Sequence, residues 1–137
     1  MAALGLSTTI RNNKATQVKN ALDADTNPGY FEFYDGTQPA TGAAVTTQNK
    51  LGTCALSKPC GTVSGGALTF SSISDDTSAD HDGTATWLRA KDGAGTFCFD
   101  MTVTDLAGAG PCKLDDTAII AGGRISVASC VLTEGNA

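Results

Sequence analysis

Histidine occurs once in the 137 residues, at His81. That excludes metal centres built on several imidazoles, and any Ser-His-Asp triad would have to use this one ring. His81 stands in a polar run, Asp75-Asp76-Thr77-Ser78-Ala79-Asp80-His81-Asp82-Gly83. Nothing there resembles the strained elbow that presents a nucleophile, so the residue reads as a solvated loop histidine. A G-x-x-x-x-G-K-[ST] phosphate loop is also missing. The glycine-rich stretches Gly61–Gly66 and Gly108–Gly110 open no helix whose N-terminus would hold phosphate. No C-x-x-C occurs, which argues against zinc ribbons and thioredoxin-type dithiols. No catalytic residue, cofactor site or metal site is therefore expected.

Long apolar runs are absent too. No stretch approaches the roughly 20 residues that span a bilayer. No basic region precedes the short apolar start Met1–Leu6, as a secretory signal requires. The expectation is a chain made and kept in a cytoplasm. Charge is sparse, at 17% of residues where about a quarter is usual, and the balance is acidic, −5 overall. That sign argues against nucleic acid and against an anionic membrane surface as partners.

Aromatic residues make up only 6%, so the core is expected to consist mainly of Ala, Val, Ile and Leu. Tyr30, Tyr34 and Trp87 are the residues from which a stacking platform for sugars or bases would be built. Trp87, in mid-strand, reads first as a core residue. Asp76, Asp80 and Asp82 offer hard oxygens to calcium but lack the EF-hand spacing. An Asp- and Ser-rich turn ordinarily bonds its own backbone, and Asp115-Asp116 reads the same way.

Among what is present, five cysteines stand out. Cys54, Cys98 and Cys130 fall within expected strands and read as small buried hydrophobes. Cys60 and Cys112 each follow a proline in an expected loop, where a bridge to one another or to a neighbouring subunit is the better reading. All five are disulfide candidates, and their odd number leaves at least one thiol over in any intrachain scheme.

Residues 8 to 24 read as one helix, capped by Ser7 or Thr8, with Ile10, Ala15, Val18, Ala21 and Leu22 on a broad face. Asn27-Pro28-Gly29 stops it. Beyond this the punctuation is that of antiparallel β structure. Strands are expected at Tyr30–Tyr34, Leu51–Leu56, Ala67–Ile73, Gly83–Lys91, Thr96–Val103, Lys113–Ile120 and Arg124–Thr133. Turns are expected at Asp35-Gly36, Gly65-Gly66, Asp92-Gly93 and Gly122-Gly123. Gln38–Asn49 is a polar, alanine-rich loop. Within Gly83–Lys91 the alternation puts Ala85, Trp87 and Arg89 on one face. The fold class is mainly β: a single antiparallel β-sandwich-like domain, residues 7–137, with one N-terminal α-helix. An arm, residues 1–6, precedes it, and its Ala2, Ala3, Leu4 and Leu6 are candidates for binding a neighbour.

Four stretches taken in order resemble a family of small virion structural proteins of tailed bacteriophages. They are Phe33-Tyr34-Asp35-Gly36-Thr37-Gln38-Pro39, Leu51–Pro59, Gly83–Gly93 and Thr117–Ser129, and the resemblance spans roughly residues 7 to 134. Each alone is a generic strand-and-turn string; their order and spacing carry the likeness, and the cysteines depart from it. The resemblance implies a non-enzymatic protein, specifically a capsid decoration or cement protein. It would bind the major capsid protein on the outer shell after synthesis in the host cytoplasm, and associate with itself as a dimer or trimer. A tail tube, neck or adaptor protein is the alternative within the virion. A carbohydrate-binding adhesive module is the alternative outside that class.

Overall fold

The computed structural model describes residues 4–134. One helix, α1 (Thr8–Leu22), is followed by β1 (Tyr30–Tyr34), β2 (Lys50–Ala55), β3 (Gly61–Ser64), β4 (Ala67–Phe70) and β5 (Gly83–Thr84). The chain continues through β6 (Trp87–Lys91), β7 (Phe97–Thr104), β8 (Cys112–Leu114), β9 (Ala118–Ile119) and β10 (Val127–Thr133). The mainly-β composition with a single N-terminal helix is as the sequence implies.

The helix begins where Ser7 Oγ accepts a hydrogen bond from Ile10 N at 3.3 Å. It stops two residues short of the expected end because Asp23 leaves helical geometry. The Asp23 carboxylate instead accepts from Cys60 N at 3.1 Å, tying the helix end to the start of β3. Of the expected apolar face, Ala15 and Leu22 are buried and Val18 packs against the core, whereas Ile10 and Ala21 are exposed. Apolar packing thus holds only the C-terminal half of the element, from Ala15 to Leu22.

Eight strands form one sheet in the order β2-β1-β6-β7-β8-β10-β4-β3; β5 and β9 make a separate two-stranded ribbon. Neighbours are antiparallel except β7 and β8, which run parallel at Val103–Cys112 and Thr104–Lys113. This corrects the purely antiparallel expectation. A parallel pair ordinarily needs a long crossover. Here the chain needs to step back by only two residues, and Gly108 and Gly110 allow that by lying against Thr104, where a Cβ would come within 2.5 and 2.8 Å of its side chain.

Alternation gives the sheet two unlike faces. Phe31, Phe33, Leu88, Ala90, Met101 and Val103 point inward and are buried. The sheet curls until its two ends face each other, so that Phe31 of β1 meets Phe70 of β4 edge-on, centroids 5.2 Å apart. Each of the Phe, Leu, Met and Val side chains contributes about 1.5–3 kcal/mol when fully buried. The two segments carrying Asp76 and Ile125, joined by an antiparallel bridge, lie against β2. A Cβ at Gly52 would stand 2.4 Å from Asp76 Oδ2 and 2.6 Å from Ile125 Cδ1, so this strand position has room for glycine alone.

Several expected strands are shorter or divided. Gly83–Lys91 breaks at Ala85 and Thr86, whose amides donate to Thr117 O and Tyr34 O instead of continuing one ladder. Lys113–Ile120 divides into β8 and β9 because Asp116 Oδ1 accepts from Ala118 N and forms a turn. Strand β3 lies in the glycine-rich stretch Gly61–Gly66, where the sequence predicts no strand. It pairs with β4 from Gly61–Phe70 to Ser64–Ala67 through the Gly65-Gly66 turn, both glycines having positive φ.

Candidate functional site

The cysteines do not form the bridges the sequence suggests. All five are free thiols. Cys60, immediately before β3, and Cys112, on β8, lie three strand positions apart in the sheet, and both are buried. Their prolines mark strand entries rather than exposed loops, so neither sulfur is offered to a neighbour. Cys54 donates to Ile125 O at 3.7 Å, and Cys60 to Lys19 O at 3.9 Å. Burial pushes both thiols up to about 12, and Asp23 adds to the effect at Cys60. Cys112 and Cys130 stand directly opposite each other on β8 and β10. The contact with Cys112, together with burial, raises the Cys130 thiol further. Cys98 is half-buried, its thiol also raised by desolvation. Reactivity belongs to the thiolate, and these surroundings hold the proton on.

The acidic run is equally committed to structure. Asp76 Oδ2 accepts from Thr53 N at 2.9 Å and Oδ1 from Ser78 N at 2.9 Å. Asp82 Oδ1 accepts from Ala121 N at 2.7 Å, and Asp80 faces Lys50 at 3.9 Å. Exposed His81 places Nδ1 2.9 Å from Lys50 O. Each carboxylate serves a different segment, and among the described residues no three such side chains converge as metal ligands would. No helix among them is long and apolar enough to cross a membrane.

The outer face of the sheet carries a buried polar cluster that sequence reasoning did not assemble. Registers Tyr34–Trp87, Glu32–Arg89 and Arg89–Asp100 align these side chains across β1, β6 and β7. Arg89 holds Asp100 through two bonds, Nε to Oδ1 at 2.8 Å and Nη2 to Oδ2 at 3.0 Å. Its guanidinium lies over the rings of Trp87 and Phe97, at 5.5 and 5.2 Å. Tyr34 stacks on Trp87 with centroids 4.5 Å apart and donates to Glu32 Oε2 at 2.9 Å. Glu32 also takes Lys91 at 2.6 Å. Of the three residues a platform would use, Tyr34 and Trp87 stack but are buried, and Tyr30 is partly buried at the other end of β1. Trp87 is buried on the face opposite the main core.

What buries this cluster is the loop from Gly36 to Asn49. Arg89 Nη2 donates to Ala43 O at 2.8 Å, and Gly42 N donates to Asp100 Oδ2 at 3.1 Å. At the loop's base Trp87 Nε1 donates to Asp35 O at 3.0 Å, and Asp35 Oδ1 accepts from Asn49 N at 2.6 Å. A connection of this length without secondary structure is uncommon in a compact domain and is usually functional or disordered. This one is tied down by a buried ion pair. Its fourteen residues, Gly36–Asn49, include no charged side chain, and most of them, including Thr37, Thr41, Ala44 and Thr47, are exposed. An exposed, charge-free surface shares with interface cores the depletion of charge, without their aromatic anchors, and a loop already held by these hydrogen bonds has less freedom left to lose on binding.

The N-terminal arm adds a second feature. Leu4 is 70% exposed and Leu6 partly buried, while Ala2 and Ala3 lie outside the described residues. No protein-family model matches the chain, and no curated protein or solved structure is significantly similar to it.

Proposed function

We propose that this chain is a non-enzymatic structural protein of a tailed-phage virion, a capsid decoration protein that binds the assembled outer shell through its Gly36–Asn49 loop. The observation that carries the reading is the loop's attachment: a long, uncharged, exposed segment held in one shape by Arg89 and Asp100. Such a surface suits a partner that is itself a protein. The virion setting comes from the ordered motifs at Phe33–Pro39, Leu51–Pro59, Gly83–Gly93 and Thr117–Ser129, the first of which forms the loop's own base. Binding only the assembled shell would stabilise it by linkage. The major capsid protein is the partner, and the capsid surface the location.

The test is copy number. Heads and tails separated from purified particles are digested and quantified by mass spectrometry. A decoration protein is found in heads at copy numbers comparable with the shell's own subunits, and is absent from tails. Recovery with tails alone, or from neither fraction, contradicts the proposal.

A further inference from the structure

Cys112 and Cys130 are register partners on the antiparallel strands β8 and β10. Beside them Val131 N donates to Pro111 O at 3.1 Å, and in an antiparallel ladder bonded and non-bonded pairs alternate. The two cysteines therefore occupy a non-hydrogen-bonded position, where opposed Cα atoms stand about 4.5 Å apart. That spacing lies within the range of about 4.4–6.8 Å that a disulfide spans. Opposed residues also share one face of a sheet. Here that face is the core: Cys112 is 0% and Cys130 4% exposed, and Cys130 Sγ lies 3.9 Å from Met101 Sδ.

The other three thiols lack this arrangement. Cys54 stands opposite Phe31, Cys98 sits at the irregularity in the pairing of β6 with β7, and Cys60 precedes β3. Each gives its proton to a main-chain carbonyl: Cys54 to Ile125 O, Cys60 to Lys19 O, and Cys98 to Thr96 O at 3.6 Å. For Cys130, in contrast, contact with the Cys112 side chain is the largest influence on the thiol, ahead of burial.

We propose that Cys112 and Cys130 are a reversible redox pair, a dithiol in the reduced chain that a peroxide closes into a cross-strand disulfide. One thiol loses its proton and its sulfur attacks a peroxide oxygen. The O–O bond breaks, hydroxide leaves, and a sulfenic acid remains. The second thiol, losing its proton, attacks the sulfenic sulfur, and the S–O bond breaks with loss of another hydroxide. The two protons and two hydroxides make two waters; both sulfurs are oxidised and the peroxide is reduced. A thiol reductant reverses the reaction by exchange.

Hydrogen peroxide is little larger than water and enters through local opening of β8, which is three residues long and joins β7 only at Val103 and Thr104. Attack needs thiolate, and these surroundings hold the protons on, so closure is slow at neutral pH and quickens in mild alkali. The bond anchors β8 to β10 and encloses residues 113–129, which carry β9 and the Ile125 partner of Asp76. The dithiol suits a reducing compartment and the bridge an oxidising one. Closure needs only this chain and occurs whether or not it coats a shell.

The test uses a Cys98→Ser variant, which removes the least buried thiol. Reduced protein is treated with hydrogen peroxide at mildly alkaline pH, freed of peroxide, alkylated in denaturant and digested with trypsin. Fragments 92–113 and 125–137 then carry one cysteine each, Cys112 and Cys130. They are expected as one linked species that dithiothreitol separates. The melting temperature of the undigested protein rises by about 10 °C on bridging and falls back on reduction. Adding Cys130→Ala abolishes the peroxide-dependent rise; if that variant does not fold, the fragments of the Cys98→Ser protein decide alone. Recovery of the two fragments singly, alkylated or carrying sulfinic acid, overturns the proposal. So does linkage of either cysteine to Cys54 or Cys60, or a rise that persists with Cys130→Ala.

Discussion

Arg89 and Asp100, eleven residues apart in sequence, face each other across β6 and β7, and each also reaches the same loop, Arg89 at Ala43 O and Asp100 at Gly42 N. The pair is almost wholly enclosed, with side-chain exposures of 9% and 1%. It joins sheet to loop in a way neither residue achieves alone.

Asp100→Ala leaves the guanidinium buried without its carboxylate. Removing one member of a buried pair costs about 3–5 kcal/mol. Urea denaturation should register that loss, and limited proteolysis should detect new cleavage between Gly36 and Asn49 in the still-folded variant. A loop as protease-resistant as the wild type would show that the ion pair does not hold it.

The thiols should be nearly silent in the native protein. Ellman's reagent is expected to titrate only Cys98 readily, the other four being buried, and to find all five in denaturant. Non-reducing gels should show the monomer band. A reductant-sensitive ladder would instead show intersubunit bridges through Cys60 or Cys112.

Alkali should destabilise the fold through the same groups. Cys54 and Cys60 are raised from 9.0 to about 12, so between these values the unfolded chain releases protons that the folded chain retains. Their stabilising contribution is complete below pH 9 and is lost as pH rises toward 12. Melting temperatures followed across that window should fall, and fall less steeply in a Cys54→Ala/Cys60→Ala variant. An identical slope would assign the alkaline loss to other groups.

Gly61→Ala tests the strand the sequence hides. A Cβ there would sit 2.3 Å from Thr69 O, a main-chain atom with little freedom to move. Overpacking of this kind costs about 1–3 kcal/mol, whereas Gly65→Ala meets no atom and carries only the strain of its positive φ. Equal denaturation midpoints for Gly61→Ala and the wild type would mean β3 is not paired as described.

Local chemistry made part of this legible in advance. Ser7 marks the helix start, the alternation in Trp87–Lys91 separates the two faces, and Gly65-Gly66 turns β3 into β4. Pairing between distant segments was not legible. The parallel contact of β8 with β7 spans two residues and has no periodicity to read. Pro59 and Pro111 imitate loop signals although each leads into a short strand, which is why Cys60 and Cys112 were misplaced. Gln38–Asn49 was recognisable as a loop. Its immobilisation depends on Arg89 and Asp100 arriving from other strands, and nothing within the loop announces them.

The central claim is that this loop is the shell-binding face, and one measurement addresses it directly. Wild-type protein and an Ala44→Glu variant are each added to shells stripped of decoration and sedimented with them. Ala44 is exposed, so the charge should leave the melting temperature unchanged. The prediction is that wild type pellets with the shells and the variant stays in the supernatant. Equal sedimentation of the two would contradict the account.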